Sequence, residues 1–195
     1  MKNSNENRNP RILDTSALVH DPKSLLAYRD DIYICLTVLE ELDNLKERLD
    51  KSVSQDARLV IRMLEDIING HSSEQMEKGI DLPSTETAKR GKLFVGIDTQ
   101  LDFAKELKHA IGSDADNRII NYALHMQNEL KQDVTIVSRD INMRLKARTI
   151  GVDAEDVLVD NQISDIDLLY TGVQSFTGDL FDRCEEEKDF AMSGK

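Results

Sequence analysis

Four carboxylates, Asp14, Glu41, Asp116 and Asp140, occupy places in the chain where a sheet-based protein holds its chemistry. Asp14 follows the apolar run Arg11-Ile12-Leu13 and precedes Thr15-Ser16-Ala17-Leu18, so it ends a strand and begins a helix. Asp140 repeats the layout, after Val134-Thr135-Ile136-Val137 and Ser138-Arg139. In open α/β sheets, ligands gather beyond the carboxyl ends of the strands, which is where both acids fall. Each acid taken singly is explained as a helix cap. Convergence of all four at one sheet edge is the more economical account, and it has a chemical meaning. Carboxylate oxygens are hard ligands suited to Mg²⁺ or Mn²⁺, clustered acids repel until a cation relieves them, and ions so held attract phosphate.

The helical period separates the inward acids from their neighbours. A helix opening at Thr37 has a buried stripe of Val38, Leu42, Leu45 and Leu49. At about 100° per residue, Glu41 lies roughly 60° from the stripe's centre, while Glu40 points nearly away. Thr37-Val38-Leu39-Glu40 also fits a capping box, which gives Glu40 a structural task. Likewise, in a helix from about Ser113 to Leu130 with Ile119, Ile120, Ala123, Leu124 and Leu130 inside, Asp116 shares the apolar face and Asp114 opposes it. Thr15 and Ser16 stand ready to cap the first helix or to hold Asp14 in orientation.

The elements that must position these acids alternate between strand and helix. After a polar lead-in, Met1 to Pro10, the chain reads as strand Arg11 to Leu13, a short helix Thr15 to His20 stopped near Pro22, and strand Ile32 to Leu36. Val53 to Asn69 is a strong amphipathic helix closed by Gly70. Residues 71–99 turn polar and read as a peripheral loop or hairpin insertion, with Gly79 to Leu82 and Leu93 to Val95 as its strands. Leu101 to Ile111 is amphipathic and predicts a further helix, the strand before Ser138 is followed by a helix carrying Met143, Ala147 and Ile150, and Gly151-Val152 opens a last strand. Val157 to Val173 reads as edge structure, and 174–195 as an acidic mobile tail or linker. One domain over 11–173 follows.

With 195 residues and a net charge of −12, the chain can bury one full core but lacks a broad basic surface for nucleic acid. A carboxylate-built metal site is compatible with that charge. Lys89, Arg90 and Lys92 form the most basic local cluster, a solvated loop tip or a contact to RNA. Cys35 and Cys184 have no metal-ligand spacing, the four histidines are scattered, and no apolar run is long enough to cross a bilayer. A cytoplasmic protein is expected.

The motifs Leu13-Asp14-Thr15-Ser16, Glu41-Leu42, Asp116-Asn117-Arg118-Ile119 and Val134 to Asp140, in this order and spacing, resemble those of a PIN domain. Ser138-Arg139-Asp140-Ile141-Asn142 and Tyr170-Thr171-Gly172 bring the likeness closest to the PIN domain that precedes an ATPase module in PhoH-like proteins. The resemblance implies a three-layer α/β/α fold with a central parallel sheet, and a ribonuclease dependent on Mg²⁺ or Mn²⁺ that cuts single-stranded RNA. Asp14, Glu41 and Asp116 would coordinate metal, Asp140 would hold a second ion or its water, and Thr15, Ser16 and Ser138 would orient them. The sequence has no G-x-x-x-x-G-K-[ST] motif, so an ATPase domain belongs to a longer chain if it exists. A homo-oligomer is left open. The competing class is a catalytically inactive PIN-like module that docks RNA or protein, against which the presence of all four acids argues.

Overall fold

The computed structural model describes residues 9–49, 51–84, 90–105, 107 and 114–157. The expected lead-in up to residue 8, Lys89, most of the edge structure after Val157 and the acidic tail lie outside the described residues. Within them the chain runs β1 Arg11–Leu13, α1 Thr15–His20, a 3-10 turn Pro22–Leu26, β2 Ile32–Cys35, α2 Leu36–Lys46, α3 Lys51–Ile68 and α4 Ser73–Glu77. It continues β3 Ile80–Asp81, β4 Lys92–Gly96, α5 Asp114–Leu130, β5 Thr135–Val137, α6 Ile141–Thr149 and β6 Asp153–Glu155.

Six strands make one sheet in the order β3-β4-β2-β1-β5-β6, parallel except for β3. Successive strand residues point to opposite faces, yet all four residues of β2 and all three of β5 are buried. Helices therefore cover both faces, which makes the fold a three-layer α/β/α arrangement. Ile12, Ile34, Val38, Leu42, Ile119, Ile120 and Ile136 are fully enclosed in its core. From β1 the chain first builds outward through β2 and β4, then crosses back to place β5 on the other side of β1. That reversal opens a crevice beyond the carboxyl ends of β1 and β5.

Several local expectations are corrected. Helix α2 begins at Leu36 with Cys35 as its N-cap, and no side chain of its own caps it. The capping box is therefore not formed: the Thr37 amide donates 3.2 Å to Asp98 Oδ1 and the Thr37 hydroxyl donates to Asp98 Oδ2. Leu49, placed in the α2 stripe, is 100% exposed because the helix has ended at Lys46. On α5, Leu130 is partly exposed, whereas Asn121, Tyr122 and Met126 are buried. Asn121 accepts the Ala104 amide at 2.9 Å and donates to the Asp102 carbonyl at 3.1 Å. Residues 101–105 are thereby tied in an extended turn instead of the expected helix.

Within residues 71–99 the hairpin forms as β3 against β4, but β4 also pairs in parallel with β2, Tyr33 opposite Phe94. Those two rings stack at 4.6 Å, so half of the hairpin belongs to the central sheet. Helix α4, which periodicity did not reveal, is set by a Ser72–Gln75 capping box. Gly79 turns the chain from α4 into β3 at φ +78°, and a Cβ there would land on the Phe94 ring. Gly79→Ala combines left-handed strain with a clash, so it should cost about 2–4 kcal/mol. Thermal denaturation should show a melting temperature lower by roughly 5–15 °C; an unchanged melt would mean that the Phe94 packing is not tight.

Candidate active site

The acids reach the crevice from four segments. Asp14 caps α1 directly after β1, and its amide donates to the Val137 carbonyl at 3.0 Å, fastening the end of β1 to β5. Its side chain is 5% exposed. The Ser16 hydroxyl at 2.5 Å and the Ser138 hydroxyl at 2.8 Å both donate to Asp14 Oδ2. Asp14 Oδ1 receives no hydrogen bond from a described residue, so one oxygen is clamped and the other is left for a ligand. Ser16 and Ser138 are also 3.1 Å apart, and the Arg139 and Asp140 amides donate 3.0 Å to Ser16 Oγ and Ser138 Oγ respectively. The turns after β1 and β5 are thus interlocked through two serine hydroxyls.

Glu41 projects from α2 and accepts the Thr15 hydroxyl on Oε2 at 2.6 Å. Asp116 comes from the first turn of α5, with the Lys146 ammonium 3.7 Å from Oδ2; that ammonium also donates 3.1 Å to Asn117 Oδ1. Asp140 caps α6 by accepting the Asn142 amide at 2.8 Å. Asp14, Thr15, Ser16, Glu41, Asp116 and Asp140 all line one cleft of about 730 Å³, with Ser138 beneath Asp14. Their neighbours Glu40 and Asp114 are exposed and line no part of it. Sequence reasoning missed the rest of the lining, notably His20, Asn44, Arg48, Asp56 and Arg139, which no periodic pattern marks as inward. It also missed Lys146, three residues beyond buried Met143 on α6, and Asp98, which is 3% exposed and caps α2 from the turn after β4. Arg90 and Lys92 have other partners: Arg90 donates to the Leu26 carbonyl at 2.6 Å and Lys92 to the Lys78 carbonyl at 3.1 Å.

Burial, with the neighbouring Asp14 and Asp116 charges, raises Glu41 above its ordinary 4.5 despite the opposing Thr15 hydrogen bond. Burial, with Asp14 and Asp140, likewise raises Asp116 above 3.8, although Lys146 pulls it down. Both groups therefore hold protons to higher pH folded than unfolded. Their contribution to stability is fully present below the unfolded values and is lost as pH rises through the raised folded ones. Without metal, Glu41→Gln should gain stability relative to the parent as pH increases from about 4.5 toward neutrality, as read from urea midpoints. Parallel curves for the two proteins would show that Glu41 is not strained by its neighbours.

The donor set fits a divalent cation. Among the described residues no three such side chains are close enough to ligate one ion directly. Mg²⁺ dehydrates reluctantly and is held through one or two carboxylates with several waters, which suits acids spaced round a cleft. Two raised carboxyls and the free Asp14 oxygen are what such an ion would relieve.

A mostly parallel α/β/α sheet with acids lining its β1/β5 crevice is compatible with a metal-handling hydrolase, and the comparisons give the chain a family. The sequence model of the PIN domain matches residues 11–158, and the chain belongs to that family. PIN domains are in general metal-dependent nucleases. The chain is similar to protein PhoH2 of Bacillus subtilis, 30% identical over 83% of this chain and 35% of the relative. It is also similar to PhoH2 of Thermobispora bispora, 28% identical over 74% of this chain and 31% of the relative. The chain thus spans about a third of the length of these curated relatives. A solved domain of a functionally unknown protein from Methanocaldococcus jannaschii aligns with TM-score 0.46 and 14% identity, covering 76% of this chain and 90% of that one. No helix among the described residues is long and apolar enough to cross a membrane.

Proposed function

We propose that this chain is a Mg²⁺- or Mn²⁺-dependent endoribonuclease domain that hydrolyses single-stranded RNA in the cytoplasm, as the nuclease part of a longer protein carrying an ATPase domain. The observation that carries the reading is the meeting of Asp14, Glu41, Asp116 and Asp140, from four separate segments, in one cleft at the sheet's crevice. Asp14, Glu41 and Asp116 would hold the cation, in part through its water shell, and Asp140 would hold a second ion or its water. When bound, the cation supplies positive charge for the phosphate oxygens and acidifies water. The protein's own part is orientation. Ser16 and Ser138 fix Asp14 through Oδ2, Thr15 fixes Glu41, and the interlocked turns keep these carboxylates from collapsing outward.

Incubation of a short single-stranded RNA with the protein should give cleavage with Mn²⁺ and none with excess chelator. Mn²⁺ at about a hundred times its dissociation constant should also stabilise the fold by about 2.7 kcal/mol, because only the folded state assembles the site. Metal-dependent stabilisation without cleavage would leave a binding module in place of a nuclease. Absence of both would remove the metal site.

A further inference from the structure

The acids occupy only part of the cleft. Beyond them it runs on between α1, α2 and the start of α3, lined by Val19 and His20, by Asn44, Leu45 and Arg48, and by Val53 and Asp56. This arm has three apolar side chains, of which Val19 and Leu45 pack against the core, with polar and charged groups around them, a composition suited to a nucleobase and its phosphate. Arg48 stands exposed just past the end of α2, and its guanidinium makes no hydrogen bond or ion pair with a described residue. Asp56, half-buried on α3, is likewise without a side-chain partner among the described residues. The contrast with the opposite rim is informative. Arg139 has its guanidinium 3.3 Å from Asp156 and its amide on Ser16, so that side is already committed to the protein. In a chain of net charge −12, an arginine with no side-chain partner among the described residues, beside a carboxylate-lined cleft, is a site for an anion that the acids alone would repel.

We propose that the α1–α2–α3 arm binds one nucleotide of single-stranded RNA next to the scissile phosphate. Arg48 holds its phosphate, Val19, Leu45 and Val53 take the base, and Asp56 reads the base edge. An ionised carboxylate only accepts hydrogen bonds, so Asp56 favours bases carrying an exocyclic amino group. Uracil disfavours this position because its single edge donor lies between two carbonyl oxygens that face the same carboxylate. The proposal rests on the ribonuclease reading, and its test is chosen to be separable from it.

The measurement is fluorescence anisotropy of labelled single-stranded RNA hexamers, one series varying one position at a time, against the Asp14→Asn protein so that no cleavage intervenes. Arg48→Ala in that background should weaken binding about tenfold and reduce the salt slope by about one phosphate contact. One position of the hexamer should bind several-fold more weakly with uracil than with cytosine, and Asp56→Asn should flatten that difference. Mn²⁺ uptake by the Arg48→Ala and Asp56→Asn variants with Asp14 intact, read by calorimetry, should match the parent protein's. Unchanged binding in Arg48→Ala, or no measurable hexamer binding to the Asp14→Asn protein, overturns the arm. Base discrimination that persists in Asp56→Asn overturns the role of that carboxylate. RNA that is cut by the parent protein without dependence on Arg48 sinks the arm and keeps the nuclease; RNA that binds through Arg48 and is never cut does the reverse.

Discussion

Asp14→Asn should reduce RNA cleavage by on the order of a thousandfold, about 4 kcal/mol of transition-state stabilisation, while the protein stays folded. The size follows from where the side chain sits. It follows the central strand, is 5% exposed, and keeps one oxygen clear of donors from the described residues while two serine hydroxyls hold the other. Asparagine preserves that shape and can still accept from the serines through its carbonyl, but it removes the charge a divalent ion requires. The same substitution takes one charge out of a group of crowded acids, so metal-free Asp14→Asn should melt no lower than the parent. What it should lose is the rise in melting temperature on adding Mn²⁺. The two readouts together separate loss of the site from loss of the fold. A variant that cuts at the parental rate would assign the activity to other residues.

The second large effect is a contrast within pairs of neighbours. Glu41→Gln and Asp116→Asn should each lower cleavage by a hundredfold or more, roughly 3 kcal/mol, whereas Glu40→Gln and Asp114→Asn should leave it within about twofold. Only the first member of each pair lines the cleft, and burial together with the acids across it raises both Glu41 and Asp116. Glu40 has lost the capping role that its spacing from Thr37 predicted, since Thr37 is bonded to Asp98. Its substitution should therefore cost little stability as well, within about 0.5 kcal/mol for a surface change. Equal losses of cleavage at Glu40 and Glu41, or at Asp114 and Asp116, in folded proteins would sink the assignment of the cleft acids.

Three of the acids, Asp14, Asp116 and Asp140, were legible in the sequence because each lies at a boundary that short-range pattern reveals, and Glu41, inside α2, by the helical period alone. A strand running into Asp-Thr-Ser, or a carboxylate in the first turn of an amphipathic helix, is a local signal, and the 3.6-residue period then chooses between neighbours. The succession of strands and helices along the chain was legible from the same alternation, and the parallel sheet from the family resemblance, but the order of strands in the sheet was not. What escaped was set by contacts distant in sequence. Asp98 caps α2 because β4 pairs in register with β2, Cys35 opposite Gly96, and no local window contains that pairing. The capping box at Thr37 failed for a related reason: its spacing is correct, but the helix begins one residue earlier on the strand's end. Leu49 shows the opposite error, a period extended past the end of its helix. Arg48 and Asp56 carry no pattern at all, since a single charged side chain has its meaning only from the cleft beside it.

The floor and the arm of the cleft are built on different kinds of support. Asp14 and Ser138 sit just past the ends of adjoining central strands, stapled by backbone and hydroxyl bonds, so their placement is fixed by the sheet itself. Asn44 and Arg48 stand on the outer end of a helix and the exposed turn after it, where most substitutions alter stability by less than about 0.5 kcal/mol. On the proposed function, inherited variation would therefore retune which strand is gripped while the cutting apparatus stays as it was. Two descendants of one ancestor would then share every acid of the floor and still choose different transcripts, so kinship in the floor would be a guide to the bond that is broken and a poor guide to the molecule that bears it.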